Sequence, residues 1–81
     1  MKVFWIKEES DNKNFRIAER LGMPVCRLKN PEEIDEKIKN VIKENNYDTI
    51  VISNDIAGFS EDIIKKYNNN KNVNIIISTR K

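Results

Sequence analysis

Asp48-Thr49-Ile50-Val51-Ile52-Ser53 places three β-branched apolar residues in a row between polar ones. A half-buried strand alternates apolar and polar positions; an unbroken Ile/Val run reads instead as a strand in a parallel sheet with helices on its faces. The pattern returns in Val73–Ser78, with Ile75, Ile76 and Ile77 consecutive, and in Lys2–Ile6, with Val3-Phe4-Trp5-Ile6. Pro24–Leu28 is a fourth, weaker strand, and its proline and Arg27 suit a sheet edge.

Helical patterns fill the gaps. Asp11–Leu21 reads as a helix with Phe15, Ala18 and Leu21 on one side, Ile17 beside them, and Gly22 where a C-terminal glycine belongs. Asn30-Pro31-Glu32-Glu33 combines an N-cap, a proline at the first helical position and a Glu placed to reach back to the cap. The helix it opens carries Ile34, Ile38, Val41 and Ile42 at core-facing spacing, acids first and lysines later, and ends at Asn45-Asn46. Ser60-Glu61-Asp62 begins a third helix with Ile63, Ile64 and Tyr67 inward, and Asn68-Asn69-Asn70 breaks it.

The order β-α-β-α-β-α-β predicts one α/β domain over residues 1–81, with a four-stranded parallel sheet in the order 2-1-3-4 and three helices. In that topology the first helix alone covers one face, and strands 3 and 4 are bare on that side. Each of these two strands has a strongly apolar side and a mixed side. With the mixed sides outward, Val51 and Ile76 are expected to form a small exposed apolar strip suited to a partner.

Composition narrows the chemistry. At 81 residues the chain has little material to spare for lining a deep cofactor pocket. Charged residues make up 35% of it, mixed in sign, with a net charge of +2, which argues against a nucleic-acid stripe. The apolar start, Met1–Ile6, is too short for a signal peptide or a membrane span, and the single cysteine, Cys26, excludes an internal disulfide. A cytoplasmic location without membrane insertion is therefore expected. With no histidine, self-contained zinc sites and Ser-His-Asp triads are excluded.

Ligands of open α/β sheets bind beyond the strand C-termini. The loop after strand 1, Lys7-Glu8-Glu9-Ser10, has no glycine, and the whole chain has two, so neither a dinucleotide fingerprint nor a P-loop is present. Glu8, Glu9 and Asp55 could meet at this rim as magnesium ligands, as in a phosphorylated receiver domain, but Asp55 lies past Ser53-Asn54, where it serves equally to cap a helix. Cys26 has no activating partner in the sequence and reads as a packing residue. No cofactor and no catalytic residue is assigned.

Several stretches, in order, resemble the F subunit of the V-type and archaeal-type ATP synthases: Lys2-Val3-Phe4-Trp5-Ile6, Phe15-Arg16-Ile17-Ala18-Glu19-Arg20-Leu21-Gly22, Asn30-Pro31-Glu32-Glu33, Asp48–Ser53, then Ile56-Ala57 and Ile63-Ile64. The resemblance implies a flavodoxin-like, receiver-like three-layer fold. It also implies a non-catalytic central-stalk component of the rotor, one that grips the coiled-coil D subunit beneath the catalytic head and supports the coupling of ATP turnover to ion transport. Members usually carry Gly-Asp after strand 1, where this chain has Lys7-Glu8-Glu9, and they continue past strand 4 into a mobile regulatory segment. This chain stops at Lys81, so that segment is expected to be missing and the resemblance does not imply an inhibitory role here. The expected interface is Val51, Asp55, Ile56, Phe59, Ser60 and Ile76. The alternatives are a stand-alone receiver-like regulatory module, marked by magnesium-dependent phosphorylation of Asp55, and a small enzyme with a rim site.

Overall fold

The computed structural model describes residues 2–44, 46–68 and 73–78. Four strands, β1 (Val3–Glu8), β2 (Val25–Leu28), β3 (Thr49–Ser53) and β4 (Asn74–Ser78), pair in parallel in the order β2-β1-β3-β4. The Ile/Val runs thus form the sheet they imply. The expected stops at Asn45 and Asn69-Asn70 lie outside the described residues.

Between the strands run α1 (Arg16–Arg20), α2 (Ile34–Glu44), and a third helical segment in two pieces, α3 (Asn54–Ala57) and α4 (Glu61–Asn68), joined by a 3-10 turn at Gly58–Ser60. One face of the sheet packs against α2 and α4. Ile6, Ile50, Ile52 and Ile75 meet Ile34, Ile38, Val41 and Ile64 there in one buried cluster. Phe4 closes its edge against Tyr47, ring centroids 5.0 Å apart. Ile77 points to the same face yet stays partly exposed, because it stands near the end of an edge strand.

The local signals account for the helix ends. Asn30 adopts an extended backbone and its side chain accepts the Glu32 N–H at 3.1 Å, with Pro31 next in line. The Asn30 side chain makes the cap bond; among the described residues the Glu33 carboxylate accepts no reciprocal bond from the Asn30 N–H. Gly22 sits at φ 75°, and the Gly22 and Met23 N–H groups donate to Glu19 O at 3.1 Å and Ala18 O at 2.9 Å. These two bonds are the glycine-terminated C-cap that the sequence signals.

α1 is shorter than its sequence pattern, which starts at Asp11. The Asp11 carboxylate instead accepts the backbone N–H groups of Lys13 at 2.8 Å and Asn14 at 3.0 Å, folding the segment into a side-chain-closed turn. Phe15 follows with φ 59°, and only Arg16 begins the helix. Local side-chain bonding by an Asp has won over helix propagation.

Candidate partner-binding face

The face opposite the main core is built from the other half of the strand alternation. Pairing aligns Val25, Trp5, Val51 and Ile76 in one row across the four strands, with Lys7 and Arg27 one step further along. α1 is the helix on this side. Phe15 packs its ring against Trp5 at 5.1 Å, and Glu19 bonds Lys7 Nζ at 2.8 Å and Arg27 at 2.7 Å. The two basic side chains hold the helix to the sheet through one carboxylate. They keep the Glu19 carboxyl below its usual range, Lys7 contributing most.

The predicted strip is half present. Ile76 is 50% exposed on edge strand β4. Val51 is only 8% exposed, against expectation. It stands on an inner strand between the larger Trp5 and Ile76, so its short side chain is shaded from both sides, whereas Ile76 has a neighbour on one side alone. The other expected interface residues divide similarly. Asp55 and Phe59 are at the surface, Phe59 at 53%. Ile56 and Ser60 are buried: Ile56 points inward from α3 into the core, and the Ser60 hydroxyl is engaged by the Asp35 carboxylate of α2. Neither can touch a partner without unfolding its turn.

Sequence reasoning missed the most exposed apolar pair. Ile17 and Leu21, expected inward or beside the core, are 73% and 71% exposed, and of α1 only Ala18 is buried. Both border an open cavity of about 600 Å³ whose floor includes Trp5 and whose other walls include Lys13, Arg16 and Arg20. The i, i+4 spacing of Ile17 with Leu21 and of Arg16 with Arg20 carried the signal, since each pair makes a stripe on one side of a helix.

At the strand C-termini, Glu8 and Asp55 line one shallow cavity with Asp11 and Lys13, but Glu9 is not in its wall. Asn14 links the two segments, donating to Asp11 at 2.6 Å and to Asp55 at 3.5 Å. Burial draws the Asp11 carboxyl upward, but the Asn14 side chain and the Asn14 and Lys13 N–H groups outweigh it and hold its pKa at about 2. Among the described residues no group of three or more His, Cys, Asp or Glu could hold a metal ion. Burial, set against a nearby Lys37, raises the Cys26 thiol, which favours the inert protonated form.

An all-parallel 2-1-3-4 sheet with helices on both sides defines a receiver-like α/β protein. The family model of the ATP synthase (F/14-kDa) subunit matches residues 9–80, nearly the whole chain, and the chain belongs to that family, the F subunits of V-type and archaeal-type ATP synthases. No curated protein and no solved structure matches it. Its role therefore lies in an ATP synthase. No helix among the described residues is long and apolar enough to cross a membrane.

Proposed function

We propose that the chain is a non-catalytic stalk component that docks on the coiled-coil D subunit of the rotor, at the cytoplasmic side of the membrane, and supports the coupling of ATP turnover to ion transport. The family match over residues 9–80 is the observation that carries this reading. The sheet supports it: one face is covered by a single five-residue helix, and Ile76 is left half exposed. A partner would add the missing layer, burying apolar surface worth about 25 cal/mol per Å². Ile76 is the surface residue assigned to that layer, with Val51 beside it in the sheet; Asp55 and Phe59, also at the surface, belong to the segment that leads to α4 and are assigned to the margin of the contact.

The test is co-purification of the chain with the D subunit of the same genome. Ile76→Asp places a charge where apolar surface is to be buried, and it is expected to separate the two proteins while leaving the isolated fold intact. Retention of the complex by this variant would remove Ile76 from the interface. The receiver-like reading makes a different forecast, magnesium-dependent acquisition of phosphate by Asp55, readable by intact mass after incubation with acetyl phosphate.

A further inference from the structure

The groove beside α1 has a chemistry of its own. Its apolar part is Trp5 with Ile17 and Leu21, the two most exposed large apolar side chains described. Its rim is Lys13, Arg16 and Arg20. None of these three cations is in an ion pair among the described residues, whose two ion pairs both use Glu19. Glu19 is the only acid on α1, and it is turned toward the sheet to meet Lys7 and Arg27. The helix thus commits its one negative charge to anchoring and leaves its outward side apolar and positive.

We propose that this groove seats an amphipathic helix of the partner whose apolar seam is flanked by Asp and Glu side chains. The inference rests on the stalk reading and names the complementary surface on the D subunit. Ile17 and Leu21 form an i, i+4 ridge, the feature that packs between the ridges of a second helix. Arg16 and Arg20 run parallel to that ridge one residue earlier, so acids beside the seam of the incoming helix would face them. An anionic lipid surface would also meet apolar groups next to cations. The geometry disfavours it, because the site is concave and α1, at five residues, is shorter than the helices that lie in a membrane interface.

The experiment compares the full chain with two double variants, Arg16→Glu/Arg20→Glu and Ile17→Ser/Leu21→Ser, in binding to the purified D subunit by calorimetry at low and high salt. Arg16, Ile17 and Arg20 on α1 and Leu21 at its C-cap are all exposed, and circular dichroism of each variant checks that the fold is kept. The expected result is at least a roughly tenfold loss of affinity for each variant, with the wild-type affinity falling as salt rises and the charge-reversed variant losing that dependence. Wild-type binding with both folded variants equally tight would overturn the groove and spare the stalk reading. No binding of the wild type overturns both. Capture of the wild type by phosphatidylserine vesicles, with binding to the rotor coiled coil indifferent to the substitutions, would give the groove to a membrane and overturn the proposal.

Discussion

Lys7 has no exposed side-chain surface, and its ammonium donates to Glu19 Oε1 at 2.8 Å and to the Asn14 carbonyl at 2.7 Å. A buried charge with its partner removed is far costlier than a surface pair broken. Arg27→Ala, at the half-exposed end of the same network, is therefore expected to cost less than about 1 kcal/mol. Glu19→Ala strands the Lys7 ammonium and should move the urea midpoint at least about twice as far; urea unfolding of the two variants measures the difference. Asp11 contributes to the acid limb of stability. Its folded pKa of about 2 lies below the ordinary 3.8, so its contribution is complete above about pH 5 and drains away as pH falls through 3.8 toward 2. Glu19 is shifted in the same direction. Stability should fall over that window, and Asp11→Asn should flatten the fall in an acid titration followed by circular dichroism. Gly22 is simpler still. A Cβ there would meet nothing within 4 Å, so Gly22→Ala tests backbone conformation alone and is expected to cost about 1 kcal/mol, the penalty of placing an L-residue at positive φ.

At the scale of elements, α2, β1, β3 and β4 were legible because their signals are strong and agree, and β2 was legible as a weaker edge strand. Asn30-Pro31 sets the start, and Ile34, Ile38 and Val41 set the buried side. Asn30→Ala should cost about 1 kcal/mol and Ile38→Ala about 3 kcal/mol, both readable by thermal unfolding. The first helix was legible only at its C-terminal end. Periodicity over Asp11–Leu21 counts apolar residues, but it does not register an Asp side chain that captures two backbone N–H groups or a Phe held at φ 59°. A helix that starts five residues later presents a different side inward, which is why Ala18 is buried while Ile17 and Leu21 face solvent. The partner site suffered from the same limit. Alternation along β3 and β4 assigned Val51 and Ile76 to the right face, but exposure on that face depends on what stands beside each residue, and that is a property of the assembled sheet.

At the scale of the whole molecule, the asymmetry of the two faces is the main physical fact. The side carrying α2 and α4 buries the cluster that holds the fold together, and the side carrying α1 shows Ile17, Leu21 and Ile76. All four strands contribute to the sheet's paired hydrogen bonds and three of them to the one buried cluster through Ile6, Ile50, Ile52 and Ile75, with Leu28 adding the fourth. We propose accordingly that the chain unfolds as one cooperative domain, with fluorescence of Trp5 and far-ultraviolet dichroism tracing a single coincident transition. The proposed docking would cover the open face. Co-expression with the coiled-coil D subunit of the rotor, followed by size-exclusion chromatography with light scattering, addresses this most directly. The account predicts one peak with the mass of a one-to-one complex; two separate peaks at micromolar concentration would contradict it.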